Sequence, residues 1–376
     1  MAGSGKSLSL ENGHLLNLLI ALHGVCLGNN RSSGLLLAGW LAQFRPAPGV
    51  GDSGPLPPFD RALGTLGQTT LRRALQQAML GLGRQFVLGR TVAEALARAR
   101  PGERRGWRYS YDPLGESART AADAERHLAA YHGLISALAA GPSARDAEYG
   151  PGLSVKLSAL HPRFEAAQRG RVLAELTPRL LGLVQAARAA EIGVTIDAEE
   201  ADQLELTLDL VEAVAAEPSL AGWGGFGLAV QAYQKRALAV IDWLTALAET
   251  HGRRLMVRLV KGAYWDSEVK RAQERGLPDY PVFTRKAMTD LNYVACAERM
   301  LKARPRIYPQ FATHNALTVA SILERAGGTD GFEFQRLHGI ADEGRDDQSS
   351  AACGQLMPEE VRKEFVCRFD GRPALG

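Results

Sequence analysis

From about residue 150 onward, short apolar runs alternate with amphipathic helical stretches. The runs are rich in aliphatic and β-branched residues, and stretches with a helical period of hydrophobic positions lie between them. Strands are predicted at 153–157, 194–197, 227–231, 255–260, 309–313 and 332–335. Helices are predicted at 171–190, 201–216, 234–250, 285–302 and 316–326. This repeated unit predicts parallel strands covered by helices, in an open sheet or in a barrel.

Most of the predicted strands end in polar residues, such as Lys156, Asp197, Gln231 and Arg258. The carboxyl ends of all strands of a (β/α)8 barrel meet at one mouth, whereas a doubly wound sheet places its ligands at one switch point. The pattern therefore favours an α/β fold of the distorted (β/α)8, TIM-type barrel class. Six strands are firm, 364–369 is a seventh candidate and no eighth is visible. The pattern leaves open whether the barrel is complete.

The part of the chain before the barrel has a different composition. Residues 45–58 are rich in Pro and Gly and are typical of a linker, and helical patterning begins near Phe59. A capping box, Thr91 to Glu94, opens a predicted helix at 92–99. A longer helix is predicted at 120–140. The predicted division is a divergent N-terminal segment with linker (1–58), a helical region that packs on the barrel (59–150), the barrel (151–339) and a divergent tail (340–376).

Composition restricts the class of protein. The chain has 376 residues, and Lys plus Arg total 44 against 41 Asp plus Glu, which gives a net charge of +3. A nucleic-acid partner is not expected, because that function calls for a concentrated basic surface. The apolar runs at 15–22 and 35–40 are much shorter than the roughly 20 residues of a membrane-spanning helix. The four cysteines form no CxxC pair and indicate reduced thiols in a cytoplasmic protein, with Cys296 as a small core residue.

The predicted mouth combines three kinds of chemistry. Cations there would stabilise the negative charge of a reduced flavin ring, aromatic side chains would stack on ring systems, and hydrogen-bond donors would hold a pyrophosphate. The residues concerned are Lys156, Arg258, Lys261, Asp197, Glu199, Gln231, His314, Asn315, Tyr264 and Trp265. No metal is expected, since the surrounding cations would repel a divalent ion.

Seven sequence blocks, in order and spread over about two thirds of the chain, carry a resemblance to a known family. They are RYSYDPLGE (108–116), SVKLSALHPR (154–163), IDAEE (196–200), QAYQKR (231–236), RLVKGAYWDSE (258–268), YPQFATHN (308–315) and FEFQRLHG (332–339). From roughly residue 83 to 339 the chain resembles the proline dehydrogenase domain of the bifunctional bacterial proline utilisation A proteins. The resemblance implies a distorted (β/α)8 barrel that holds FAD. The implied reaction oxidises L-proline to 1-pyrroline-5-carboxylate by hydride transfer from C5 to flavin N5. It also implies a quinone-type electron acceptor and peripheral contact with the inner membrane.

The resemblance implies roles for individual residues. Lys156 matches a lysine that meets the substrate carboxylate, and Asp197 matches a buried aspartate of the substrate pocket. Arg258 matches an arginine beside flavin N5, and with Lys156, Asp197 and Tyr264 it forms the expected catalytic set. Substrate-pocket positions are Lys156, Asp197, Ala263, Tyr264, Leu337 and Glu116. Cofactor positions are Gln231, Arg258, Val260, Lys261, Gly262, Ala263, Tyr264, Trp265, Thr284, Lys286, Thr313, His314 and Asn315.

The motif resemblance ends at Gly339, and a family helix with two adjacent arginines has no counterpart in the remaining sequence. Two alternatives therefore stay open beside the enzyme. One is a truncated, catalytically impaired flavin-binding protein or an inert remnant, with an open barrel that exposes a sheet edge. The other is an unrelated barrel lyase or aldolase in which Lys156 forms a Schiff base.

Overall fold

The structure is a computed structural model that describes residues 87–114, 117–141, 146–338 and 362–370, with backbone alone at Leu114 and at 362–370. All of them belong to one compact unit, residues 85–376. The predicted N-terminal segment and linker, Glu116 and most of the predicted tail lie outside the described residues.

Eight parallel strands form a closed barrel in chain order, in which each strand pairs with the next and the last pairs with the first. The strands are β1 Arg108–Leu114, β2 Gly152–Val155, β3 Gly193–Ile196, β4 Phe226–Gln231, β5 Leu255–Val260, β6 Ile307–Ala312, β7 Glu333–Leu337 and β8 Arg362–Asp370. The (β/α)8 fold class is therefore confirmed.

Helices cover the outside of the barrel. The described helices are α1 Val92–Glu103, α2 Ala121–Ala139, α3 Leu157–Leu160, α4 Arg169–Ala189, α5 Leu204–Ala215, α6 Ala237–Thr250, α7 Trp265–Glu274, α8 Lys286–Lys302 and α9 Ala316–Ala326. Short 3-10 turns occur at Ala166–Gln168, Ala201–Gln203 and Pro218–Leu220. No helix in this described set is long and apolar enough to cross a lipid bilayer.

The open barrel with an exposed edge is wrong, because β8 hydrogen-bonds to both β7 and β1. The candidate strand at 364–369 is this β8, the eighth strand of the barrel. The strand that the hydrophobic pattern missed is β1, whose register joins Ser110 to Gly152 of β2 and Ser110 to Phe365 of β8. The barrel strands thus extend beyond the 151–339 range on both sides.

The predicted capping box is only half formed. Thr91 is the N-cap of α1, and its side chain accepts a hydrogen bond from Glu94 N at 3.2 Å. The Glu94 carboxylate, however, accepts from Arg90 N at 3.1 Å, one residue before the cap. A complete box occurs instead at the start of α2, where Thr120 and Asp123 exchange both bonds. Both arrangements satisfy backbone donors that have no partner within the helix.

The hydrophobic core lies between the strands and the surrounding helices. Outward-facing strand residues such as Val194, Ile196 and Leu228 are fully buried against helix side chains. Phe311, Phe332 and Phe334 form an aromatic cluster with ring centroids 5.6–6.0 Å apart. Cys296 on α8 is fully buried in the same core, as predicted, and burial raises the pKa of its thiol to about 12.

The interior of the barrel is polar. Barrel interiors are usually filled by layers of branched apolar side chains. Here the inward positions of five strands carry side chains that are polar and almost fully buried. These are Ser110, Ser154, Arg258, Gln310, Glu333 and Gln335. Their inward direction follows from the bonds that Arg258 of β5 makes across the barrel to Ser110, Ser154 and Gln335. This polar filling connects the closed end of the barrel to its mouth.

We expect Phe311→Ala to lower the free energy of unfolding by about 3–5 kcal/mol, because it leaves a cavity in the aromatic cluster. Urea unfolding measures this change. The matched control is Leu317→Ala on α9, whose side chain is 76% exposed, and there the change should stay within about 0.5 kcal/mol. Equal effects of the two substitutions would contradict the location of the core.

Candidate active site

Lys156 lies at the barrel mouth between two carboxylates. Its Nζ donates to both Oδ atoms of Asp112 at 3.0 Å and to Asp197 Oδ2 at 2.9 Å. The three aligned strands explain the contact, because Asp112 is near the end of β1 and the other two residues directly follow β2 and β3. An ammonium group has three N–H donors, and the two carboxylates accept from at least two of them.

Burial alone would lower the pKa of Lys156, because it disfavours the charged amine. The carboxylates of Asp197 and Asp112 outweigh that effect and hold the pKa well above its ordinary value. A lysine that forms a Schiff base must be neutral to attack a carbonyl carbon. The aldolase-type alternative for Lys156 therefore lacks the environment it requires.

Arg258 occupies the centre of the barrel, with 2% of its surface exposed. Its Nη1 donates to Asp197 Oδ1 at 3.1 Å and to Ser154 Oγ at 2.9 Å. Its Nε donates to Gln335 Oε1 at 2.8 Å, and its Nη2 donates to Ser110 Oγ at 3.1 Å. Asp197 thus bridges Lys156 and Arg258 through its two oxygens.

Polar groups from neighbouring elements surround this cluster. The Tyr131 hydroxyl on α2 accepts a hydrogen bond from Lys156 N at 3.2 Å. Glu199, which follows β3, accepts bonds from the backbone N and the hydroxyl of Ser158, and burial raises the pKa of its carboxyl. Burial also raises the pKa of Tyr264 to about 12, and the negative charge of Glu199 adds to the effect. Tyr264 is consequently a neutral phenol at physiological pH.

Gln231 ends β4 beside this cluster and is 4% exposed. Its Oε1 accepts from Gln234 Nε2 at 2.7 Å, and its Nε2 donates to Ala198 O at 3.3 Å. These two bonds fix the amide in one orientation.

A second group of predicted positions lies on the rim of the mouth. Asp290 on α8 accepts bonds from Lys261 Nζ at 2.5 Å and Lys286 Nζ at 2.6 Å, which holds both ammonium groups together. Trp265 is 41% exposed, and its indole N–H donates to Phe283 O at 2.9 Å. Thr284 and Ala263 are also exposed. The rim therefore offers cations and an open aromatic face at the solvent boundary.

Gly262 connects β5 to this rim in a conformation that other residues rarely adopt. Its φ is +128°, and an added Cβ would lie 2.6 Å from the ring of Tyr233. Glycine is required here because the backbone passes directly over an aromatic ring. Val260 before it and Leu337 at the end of β7 are half-buried.

The segment after β6 is tied to the end of β7. His314 Nε2 accepts a hydrogen bond from Leu337 N at 3.1 Å, and Thr313 N donates to Gln335 O at 3.1 Å. Asn315 is the N-cap of α9, and its Oδ1 accepts from Thr318 N at 2.9 Å. The Asn315 side chain thus has a structural use in addition to any role towards a ligand.

The structure joins Lys156, Asp197 and Arg258 directly, with Tyr264 and Gln231 beside them. The sequence reasoning missed Asp112 as a partner of Lys156, although Asp112 lies in the first resemblance block and precedes the end of a strand, like the other mouth residues. It also missed Tyr131 and the deep partners of Arg258, because the pairing of distant strands decides those contacts. Within the described residues, no group of three or more His, Cys, Asp or Glu could hold a metal ion.

A (β/α)8 barrel with a charged mouth at the carboxyl ends of its strands has the architecture of an enzyme. Residues 95–361 match the family model described as proline dehydrogenase, which is more than half of the chain. The chain belongs to the proline dehydrogenase family, a family of oxidoreductases. The family match also extends past Gly339, so the end of the motif resemblance was set too early.

Individual relatives support this assignment. The chain is 50% identical over 317 residues to the bifunctional protein PutA of Escherichia coli, a match that covers 84% of this chain and 24% of that protein. The proline dehydrogenase of Deinococcus radiodurans is 28% identical over 271 residues, which cover 70% of this chain and 76% of the relative. The crystal structure of a mutant proline utilization A from Bradyrhizobium japonicum is also similar, with 47% sequence identity and a TM-score of 0.73. The match covers 96% of this chain and 38% of the chain in that structure. The chain spans about a quarter of the PutA proteins it matches.

We expect Asp112→Asn to change how the stability of the protein depends on pH. Because the folded-state pKa of Lys156 lies above the ordinary lysine value of 10.5, the ion cluster contributes fully below that pH and loses its contribution as pH rises through the folded pKa. Removing one carboxylate lowers the folded pKa, so the contribution of the cluster should be smaller and its loss should be complete at a lower pH. Stability at neutral pH should also fall by about 1–3 kcal/mol, because Asp197 still pairs with the amine.

Urea unfolding from neutral pH to about pH 11 measures both effects. The control is Asp209→Asn, which removes the half-buried partner of the exposed Arg169, and this arginine stays charged throughout the range. Equal free energies of unfolding for Asp112→Asn and the unmodified protein throughout this range would contradict the assigned pairing.

Proposed function

We propose that this chain oxidises L-proline to 1-pyrroline-5-carboxylate with FAD as its cofactor. The observation that carries the proposal is the cluster of Asp112, Lys156, Asp197 and Arg258, in which two cations and two carboxylates are in direct contact at the mouth. Family membership supports the same reaction, and so do the names of the relatives.

The charge of the cluster suits an amino acid. Its two cations and two carboxylates sum to zero, so an anion or a cation alone would leave an unbalanced charge in a site with little exposure. An amino acid brings one carboxylate and one amine, and it is neutral overall in its zwitterionic form. In our proposal Lys156 Nζ donates to the substrate carboxylate, and the Asp112 carboxylate keeps the amine of that lysine protonated.

Tyr264 and Leu337 are proposed to form the walls of the substrate pocket, with Ala263 at its exposed edge. Both Tyr264 and Leu337 are half-buried, and Leu337 is the last residue of β7, so together they would give an apolar surface for a five-membered ring. In the proposal the substrate arrives as the zwitterion and its amine releases a proton to water before the hydride leaves C5, so no protein base is needed. Glu116 stays a prediction for this pocket, outside the described residues.

The residues present fit a flavin with a diphosphate. Arg258 and Gln231 provide fixed donors deep in the mouth, where a ring system with acceptor atoms and developing negative charge would bind. Lys261 and Lys286 provide cations on the rim for phosphate groups, and the open face of Trp265 suits an adenine. When bound, FAD accepts the hydride that proline loses from C5. Gly262, Val260, Thr284, Thr313, His314 and Asn315 complete the proposed binding positions.

The onward electron acceptor is proposed to be a quinone, reached by peripheral contact of a cytoplasmic protein with the inner membrane. This part of the proposal rests on the resemblance to proline utilisation A. The impaired or inert flavin-binding alternative is a second candidate, because residues 340–376 contain no two adjacent arginines that could bind the substrate carboxylate.

The visible absorption spectrum of the purified chain tests these readings. We expect a yellow protein with flavin absorption that bleaches when L-proline is added without oxygen. A yellow protein that L-proline does not bleach would favour the second candidate. A colourless protein that does not take up added FAD would contradict the proposal.

Lys156→Met should raise the KM for proline and lower kcat/KM by roughly 30-fold or more, which corresponds to losing about 2 kcal/mol or more from a buried charged contact. Steady-state kinetics with an artificial electron acceptor measures this change. The control is Lys302→Met, which removes an exposed lysine paired with Glu298 on α8. If both variants keep the kinetic constants of the unmodified protein, Lys156 does not bind the substrate.

A further inference from the structure

A continuous polar chain runs along the inside of the barrel from its closed end to its mouth. We call it the interior chain, and its members are Arg108, Glu333, Gln335, Arg258, Asp197, Lys156 and Asp112. Its charged members alternate in sign, and each is in contact with the next either directly or through the Gln335 amide. Because positive and negative side chains alternate, every buried charge lies next to one of opposite sign. In an interior of low dielectric constant an unpaired charge would be strongly destabilising.

Glu333 is the deepest carboxylate of the interior chain. It is fully buried at the first position of β7. Leu337, at the mouth end of that strand, lies four positions further along the chain, a distance of roughly 13 Å at the usual rise per residue. Glu333 is therefore too far from the mouth to touch a substrate.

The Glu333 carboxylate determines how the Gln335 amide is oriented. Gln335 Nε2 donates to Glu333 Oε1 at 2.7 Å, and Gln335 Oε1 accepts from Arg258 Nε at 2.8 Å. A carboxylate only accepts and a guanidinium only donates, so one orientation of the amide satisfies both neighbours. The flipped amide would set two donors against each other at Arg258 and two acceptors against each other at Glu333.

We propose that Glu333 is a positioning residue that orients Arg258 through the Gln335 amide. Arg258 in turn presents its guanidinium and its charge to the mouth, so Glu333 tunes the electron affinity of the flavin without touching it. The effect on the flavin rests on the proposed function, whereas the orientation of Arg258 can be tested without any cofactor.

The first experiment uses the cofactor-free protein and variants Glu333→Gln and Gln335→Met. Hydrogen exchange of arginine Nε–H groups is followed by NMR on isotope-labelled protein, with Arg258 assigned through Arg258→Lys. We expect both variants to exchange the Arg258 Nε proton about tenfold faster or more, because its acceptor is turned away or lost. Gln335→Met keeps the buried charge of Glu333, so it still tests the proposal if Glu333→Gln fails to fold.

The control and the rescue variant use neighbouring positions. Gln310 Nε2 also donates to Glu333 Oε1, at 2.8 Å, but Gln310 is not between Glu333 and Arg258. Gln310→Met should therefore leave Arg258 protected. The double variant Glu333→Gln with Gln335→Glu restores an acceptor beside Arg258 and should restore slow exchange. Unchanged exchange in both Glu333→Gln and Gln335→Met would overturn the proposal.

The second experiment measures the reduction potential of bound flavin. A carboxylate that acted only through its charge would make the potential more positive when neutralised, because a negative charge disfavours the reduced ring. A carboxylate that positions Arg258 should make the potential more negative when replaced, since the cation is no longer held towards the mouth. We expect the negative shift in both Glu333→Gln and Gln335→Met. A positive shift or no shift would overturn the tuning role, and a chain that binds no flavin would contradict the proposed function while leaving the exchange result intact.

Discussion

The ion pair between Arg258 and Asp197 is the interaction on which the inside of this barrel depends. A guanidinium that is 2% exposed is tolerated only where its donors meet acceptors and its charge meets an opposite charge. Asp197 supplies the charge, and Ser110, Ser154 and Gln335 supply the other acceptors. Three of these partners lie on β1, β2 and β7 and Asp197 directly follows β3, so the burial of one arginine fixes side chains at four of the eight strands.

Because the interior of the barrel is polar, the fold is stabilised mainly by apolar contacts on the outside of the strands. The aromatic cluster around Phe311 and the aliphatic side chains between strands and helices form the apolar core. This core holds the strands in register, and the register in turn holds the charges of the interior chain at hydrogen-bond distance. In other (β/α)8 barrels, too, the residues that stabilise the fold are separate from those at the active site. Here the charged and polar side chains extend from the mouth deep into the barrel.

Burial also separates two parts of the proposed cofactor site. Arg258 and Gln231 are almost fully buried and held by several bonds, whereas Trp265, Thr284 and Lys286 lie on the exposed rim. A rigid interior suits the reactive ring of a flavin, because side chains that are already fixed lose little conformational entropy when the ring binds. The rim, whose lysines share Asp290, suits the part of the molecule that provides affinity.

The sequence alone determined the elements that have strong periodicity. β5 and α9 begin and end at the predicted residues, and the polar strand ends correctly indicated the mouth. It could not identify β1, because the polar interior gives that strand inward residues such as Ser110 and Asp112 in place of the apolar face on which a strand prediction relies. Only the tertiary structure decided that Lys156 pairs with Asp112, 44 residues away, and that Arg258 pairs with Gln335, 77 residues away. The reason is geometric, since closing the barrel brings together strand ends that are remote along the chain.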